Sequence, residues 1–389
     1  MKRILPIIVI SQFFCTSLWF AGNAILPDLI KSFHLEAGFL AHLTSMVQFG
    51  FIIGTFVFAL LTIADRFSPS LVFFASSVAA SLFNLGIVID NMDSVWLLFF
   101  RFSTGFFLAG IYPVGMKIAS DYYQKGLGKS LGFLVGALVV GTAFPHLVKS
   151  VSMNFSWKYV VFATSAISAL GGLSMALFVP DGPFRKSNQQ LNPNAFFSGF
   201  RNKNFRAAAF GYFGHMWELY TFWAFIPVML SVYKNYYQTG LNVPLLSFAI
   251  IASGGLACIL SGYLSQRLGV KRIATISLCL SCFCCFVSPL FLLSSSVSAL
   301  ISFLFFWGLV VIADSPLFST LVAQNAPEES RGTALTIVNC IGFSVTIISI
   351  QFINLLSKNI SAQYLYTLLA VGPIAGLTAL LKKNKEGTP

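Results

Sequence analysis

The chain has 389 residues, of which 57% are hydrophobic and only 9% charged, with a formal net charge of +12. A soluble domain carries about 25% charged residues because its surface must meet water, so a soluble globule is excluded. The apolar content also excludes a disordered chain, which leaves a polytopic membrane protein.

About 20 apolar residues cross a hydrocarbon core of about 30 Å as a helix. Twelve such stretches are predicted, at 5–30, 40–62, 70–89, 95–117, 130–149, 157–179, 207–233, 244–264, 272–293, 297–323, 334–356 and 362–381. Runs such as Ile301 to Ile312 are apolar all round. The strands of a transmembrane barrel would alternate instead, so the fold is all-α. Lys2 and Arg3 precede the first stretch as in a secretion signal, but its apolar run continues to Ile30. That length suits a retained spanning helix better than a signal core.

The basic residues lie between spans. With the N-terminus inside, eighteen fall on the inner side: Lys2, Arg3, Arg66, Lys117, Lys125, Lys129, Arg185, Lys186, Arg201, Lys203, Arg206, Arg267, Lys271, Arg272, Arg331, Lys382, Lys383 and Lys385. Five fall outside, at Lys31, Lys149, Lys158, Lys234 and Lys358. The positive-inside rule then puts both termini in the cytoplasm of a multi-pass protein of the inner (plasma) membrane, and accounts for the charge without nucleic acid. The longest polar interval, Asp181 to Arg206, reads as a cytoplasmic linker, giving an N-terminal six-helix unit at 1–182, a linker at 183–206 and a C-terminal six-helix unit with a short basic tail at 207–389. The units echo one another at an offset of about 200 residues: Pro27 answers Pro227, and Gly105 with Pro113 answers Gly308 with Pro316 at the same internal spacing. Such echoes point to an internal duplication with parallel repeats.

Ionisable side chains inside spans are costly, at roughly 2.5–3.5 kcal/mol on insertion scales, so they face the bundle interior or a wet cavity. In chain order the candidates are Arg101 in span 4, His146 in span 5, His215 and Glu218 in span 7 and Asp314 in span 10. Glu218 lies near the midplane, one turn from His215 and beside Trp217, Tyr220 and Trp223, with Pro227 able to weaken the helix above it. A carboxyl group taken out of water favours its neutral form, which makes Glu218 the leading proton carrier, with Asp314 and Arg101 as partners. Arg101 shares a stripe with Gly105, Leu108 and Tyr112 and reads as a fixed cation for a substrate anion or a carboxylate, or as a tie to a neighbouring helix. Trp19 and Asn23 in span 1, Trp307 two turns before Asp314, and Asn339 in span 11 complete the candidate substrate contacts with Tyr112, His215, Tyr220 and Trp223; Gln351 is a further polar candidate. Four cysteines, Cys279, Cys282, Cys284 and Cys285, crowd one span without a nearby His or carboxylate in that span, so they read as small hydrophobes and not as a metal site. No nucleotide loop and no enzyme constellation occurs; no cofactor or metal is expected.

Six spans, a basic linker and six spans resemble the major facilitator superfamily over nearly the whole chain. The segment Gly262 to Arg272 is similar to the family's loop motif of glycines, an acidic residue and basic residues, with Gln266 in the acidic position. The first-half copy, Leu61 to Ser70, keeps Asp65 and Arg66 but has Leu61 and Ser68 where the glycines stand. The resemblance implies a cytoplasmic gate from Asp65, Arg66, Gly262, Arg267, Gly269, Lys271 and Arg272. Arg101 to Gly105 is similar to the family's Arg-x-x-x-Gly motif. Gly132, Gly136 and Gly141 partly resemble the antiporters' glycine motif, with Ala137 where a proline is expected, and also suit close helix packing. The resemblance implies twelve helices in two pseudo-symmetric six-helix bundles around a central cavity, working by alternating access as a monomer. The expected function is proton-coupled secondary transport of a small polar or anionic organic solute. A proton-driven efflux pump for amphipathic drugs is the nearest alternative, and a transporter-like sensor or lipid-handling protein the next.

Overall fold

A computed structural model describes residues 3–36, 38–123, 127–185, 199–327 and 331–382. Lys2, Lys125, Lys186, Lys383 and Lys385, the side chain of Lys129 and most of the expected linker lie outside the described residues. Among those described, the helices line up as twelve rods, and ten are long and apolar enough to cross a membrane: Phe39–Leu60, Pro69–Val88, Ser94–Tyr122, Ser130–Val151, Lys158–Phe178, Val243–Leu268, Val270–Leu292, Val297–Asn325, Arg331–Leu356 and Ala362–Leu381. These are spans 2 to 6 and 8 to 12. Their outward faces carry large apolar side chains such as Leu82, Val95, Leu177, Leu256, Phe283 and Leu290, each more than half exposed. An apolar belt of this kind is at home only in lipid.

The remaining two rods are spans 1 and 7. Span 1 is expected as one helix over 5–30 but is three: Ile4–Thr16, Ala21–Ala24 and Leu26–Phe33. Between the first two, the amides of Leu18 and Trp19 reach back only three residues, to the carbonyls of Cys15 and Thr16. The tightened turn frees the carbonyl of Trp19 and leaves that of Leu18 with only a long bond from the Ala21 amide, at 3.4 Å. Pro27, which lacks an N–H, sits in the first turn of the third piece, where that loss costs nothing. Pro227 is expected to weaken span 7, yet Lys203–Tyr237 runs unbroken through it for 35 residues. Spans 11 and 12 flank this helix along its length, and their packing keeps it continuous where one backbone bond is missing.

The duplication is visible in the packing. Span 4 breaks after Leu108 and resumes at Tyr112, with Pro113 in its first turn; span 10 breaks at Asp314 and resumes at Ser315, with Pro316 in its first turn. A Cβ on Gly105 of span 4 would lie 1.9 Å from the carbonyl oxygen of Val47 in span 2. A Cβ on Gly308 of span 10 would lie 2.7 Å from that of Ile250 in span 8. Both contacts move together by the same 203 residues, from 105 to 308 and from 47 to 250. Only glycine allows either approach.

The two bundles meet along two seams, span 2 against span 11 and span 5 against span 8. Gly136 and Gly255 cross at the second seam, where a Cβ on either would approach the other's carbonyl oxygen to 3.3 or 3.2 Å. Packing therefore accounts for Gly136. Twelve rods bring both termini to one end of the molecule. At the opposite end, Gln351 Nε2 donates to Ser45 Oγ at 3.0 Å and Asn242 Nδ2 to Ser150 Oγ at 3.3 Å, closing the bundles on one another.

Candidate functional site

Span 7 positions the chemistry. Its length carries His215 and Glu218, one turn apart and both about 1% exposed, while the buried rings of Tyr220 and Trp223 project from another side of the same helix. Trp307 of span 10 donates its indole N–H to Glu218 Oε1 at 2.7 Å, and the Cys285 thiol of span 9 donates to the same oxygen at 3.3 Å. Asp314, fully buried at the break of span 10, brings Oδ1 to 2.8 Å from His215 Nδ1. The imidazole lies between the rings of Tyr212 and Phe318. Among the described residues neither carboxyl group has a Lys or Arg ion-pair partner. Two acids therefore sit in one bundle, Glu218 held by an indole and a thiol and Asp314 by an imidazole.

Beside them the bundles are joined by aromatic rings. Trp19 of span 1 lies 4.9 Å from Phe51, 5.8 Å from Tyr220 and 5.6 Å from Phe343, measured between ring centroids. Phe343 lies 5.2 Å from Tyr220, which lies 5.2 Å from Trp223. Spans 1 and 2 thus meet spans 7 and 11 through one cluster. Toward the terminal end, the Tyr212 hydroxyl donates to Asn339 Oδ1 at 2.6 Å. Tyr112 opens the second half of span 4, partly buried against the core. In the other direction, Asn23 Nδ2 donates to Thr44 Oγ1 at 2.7 Å.

Arg101 does not join this group. It is fully buried and donates to the carbonyls of Leu18 and Trp19, at 3.2 and 2.6 Å from Nη2, and to Asn84 Oδ1 at 3.1 Å from Nη1. The Trp19 carbonyl is one that the break in span 1 sets free, and that of Leu18 otherwise has only the 3.4 Å bond from the Ala21 amide. No described carboxylate forms an ion pair with it. Of the two readings open to Arg101, the contacts match the tie to a neighbouring helix. His146 is buried in span 5, with Nε2 unpartnered, outside the cluster.

The loop motifs also differ from one another. Asp65 pairs with Lys117 Nζ at 2.9 Å, Arg66 Nε donates to Thr62 Oγ1 at 3.1 Å, and Arg185 donates to the carbonyls of Asp65 and Phe67 and pairs with Asp181. This network ties spans 2, 4 and 6 within the first bundle. In the second copy Gly269 turns the chain between spans 8 and 9 at φ +90°, which favours glycine. Gly262 has open space around it, and Arg267, Lys271 and Arg272 are exposed, without an ion pair among the described residues.

Two contributors are absent from the sequence expectations. Cys285 reads as a small hydrophobe, although a thiol one helix away from a buried acid is also a donor. Gln48 of span 2 is fully buried with both side-chain polar atoms unpartnered. An uncharged amide in an apolar stretch is the available signal, the same one that singles out Asn23, Asn339 and Gln351.

The sequence profile of the Major Facilitator Superfamily matches residues 8–350. The chain belongs to the Major Facilitator Superfamily. No curated protein matches the sequence. Membership makes the protein a multi-pass secondary transporter, not an enzyme. For a major facilitator, the region where spans 1, 2, 7, 10 and 11 converge is the place at which a solute could be exposed to either side in turn.

Proposed function

We propose that the protein is a proton-coupled transporter of a small organic solute, with Glu218 as the proton carrier and the His215–Asp314 pair as its partner. The observation that carries the reading is the pair of buried carboxyl groups without Lys or Arg counter-ions among the described residues, one of them on the helix that also lends Tyr220 to the ring cluster joining the bundles. A carboxylate wetted by an open cavity ionises; closing the bundles on it removes water and disfavours the charge. Closure then proceeds with the proton aboard, and movement of the bundles depends on it. Trp19, Asn23, Tyr112, Tyr220, Trp223 and Asn339 line the solute's path.

The contacts of Arg101 change the preferred solute. With its guanidinium committed to span 1, the interior offers no free cation among the described residues, which withdraws the basis for preferring an anion. An uncharged or cationic solute fits two acids and a ring cluster better. Amphipathic-compound efflux remains a second reading, favoured by the rings around Trp19. We also propose units at 1–182 and 207–389 around a linker at 183–206, both termini cytoplasmic, and a monomer in the inner membrane, on the basic bias of the loops. The test is proton movement in vesicles containing the purified protein and an internal pH dye, on addition of uncharged, cationic and anionic solutes. Proton flux evoked by solute is expected; solute exchange with no proton movement under any gradient overturns the coupling.

A further inference from the structure

Two polar side chains of span 2 near the seam with span 11 are paired. Thr44 accepts from Asn23, and Ser45 accepts from Gln351. Gln48, one turn further along span 2, is different. It is fully buried, yet neither Nε2 nor Oε1 has a partner. Its place follows from its neighbours. Thr44 and Phe51, four residues before it and three after, contact Asn23 and Trp19 of span 1. Ser45 and Ile52, three before and four after, contact Gln351 and Cys340 of span 11. Residues at these spacings share adjoining stripes of one helix, so Gln48 sits where spans 1, 2 and 11 converge. Two further unpartnered atoms belong to the same place: Oδ1 of Asn23 and the indole N–H of Trp19, in side chains 4% and 1% exposed.

Together these atoms supply donors from Gln48 and Trp19 and acceptors from Gln48 and Asn23. None carries charge, and the nearest cation identified in this bundle, Arg101, is committed to backbone carbonyls and Asn84. The rings of Trp19, Phe51, Tyr220 and Phe343 adjoin them. Buried polar atoms are costly when unpaired; Ser11, Gln12 and Thr55 of the same spans are unpartnered as well, and the atoms of Gln48, Asn23 and Trp19 are the set at the seam that must part and close.

We propose that Trp19, Asn23 and Gln48 form a hydrogen-bonding subsite for an uncharged, hydroxyl- or amide-bearing face of the transported solute, whose flat apolar side rests on the adjoining rings. This rests on the transporter reading above and names its solute class. Closing the empty bundles leaves the subsite unpaired, whereas closing them on such a solute satisfies it. Solute and closure therefore favour one another, and the first bundle reads the solute while the second handles the proton.

The test is thermal unfolding of the purified protein in detergent with D-glucose, uridine, tetraphenylphosphonium or succinate. Glucose or uridine at about 50 mM should raise the melting temperature by about 2 °C or more, since a ligand of the native state stabilises it. Gln48→Met should raise the melting temperature of the solute-free protein, because it removes unpaired polar atoms while filling the same space, and should abolish the response to the probe. Trp19→Phe, which keeps a ring and removes the N–H, should weaken probe binding about tenfold or less with little change in the solute-free protein. A lower solute-free melting temperature in Gln48→Met would mean that the amide is a structural tie and overturns the proposal. So does a probe response that survives Gln48→Met, or stabilisation by neither neutral probe. Proton movement in vesicles is scored separately. Protons moving with tetraphenylphosphonium, without neutral-probe binding, remove this subsite and leave the transporter reading intact; absence of solute-evoked proton movement counts against the reading itself.

Discussion

Replacing Arg101 by Met tests whether this fully buried cation of span 4 serves structure or substrate. The methionine fills much of the volume but donates nothing. Three acceptors lose a donor: the carbonyl of Leu18, which keeps only the 3.4 Å bond from the Ala21 amide, the carbonyl of Trp19 and Oδ1 of Asn84. Interhelical hydrogen bonds in membrane proteins average about 0.6 kcal/mol and reach about 1.7. Three acceptors therefore correspond to about 2–5 kcal/mol. At roughly 2 °C per kcal/mol, the melting temperature should fall by about 4–10 °C. Arg101→Lys should fall between the variant and the parent, since an ammonium group reaches fewer of the acceptors than a planar fork does. The assay is thermal unfolding in detergent, with succinate binding measured on the same samples. A parent-like melting temperature in Arg101→Met, together with loss of succinate binding, would refute the reasoning and return Arg101 to the substrate.

Glu218→Gln keeps an acceptor for the Trp307 indole, so folding should survive; pH-driven accumulation in vesicles should vanish while solute exchange at equal pH persists. Loss of both activities in the folded variant would instead make Glu218 a solute ligand or an essential tie. Gly105→Ala should destabilise more than Gly308→Ala, because the added carbon meets a carbonyl oxygen at 1.9 Å in one case and 2.7 Å in the other; the first should exceed the usual ~1–3 kcal/mol of overpacking, and equal melting temperatures would count against the packing. Cysteines placed singly at Arg206 and Lys234, at opposite ends of span 7, should label from opposite sides of sealed vesicles, Arg206 from the cytoplasmic side.

The helical spans were legible because a membrane imposes one rule on every stretch, and span 2 or span 9 satisfies it by length and composition alone. Span 1 was legible as apolar but not as broken. The Leu18 and Trp19 carbonyls at its break are met by Arg101, 83 and 82 residues away in sequence, and no local pattern announces that a distant guanidinium will donate to them. The same gap separates candidates from contacts. Glu218, His215, Asp314 and Trp307 could all be singled out as polar or aromatic residues inside spans. Trp307 was placed with Asp314 by helical spacing, whereas its indole reaches Glu218 on another helix. Spacing fixes which residues share a face; the crossing of helices decides whom that face meets.

That distinction also explains how one duplicated scaffold holds two kinds of chemistry. The features retained at the common offset of 203 residues are those that set helix crossings: Gly105 with Gly308, and Pro113 with Pro316. At the same offset the chemical residues have parted. Arg101 stands against Leu304, and Asp314 against Ile111. The first bundle spends its cation on holding a broken span 1, and its unpaired amides and indole carry no charge. The second bundle needs no such brace, because its span 7 is continuous, and it holds the buried acids instead. A packing scaffold tolerates this divergence because glycine contacts fix the backbone approach without constraining the side chains one turn away. Alternating access needs the two bundles to move as similar bodies, but it does not need them to hold the same ligand. Similar crossings preserve the movement, and under the proposed reading dissimilar interiors would let one bundle bind solute while the other binds the proton, with the seam between them as the place where the two would be coupled.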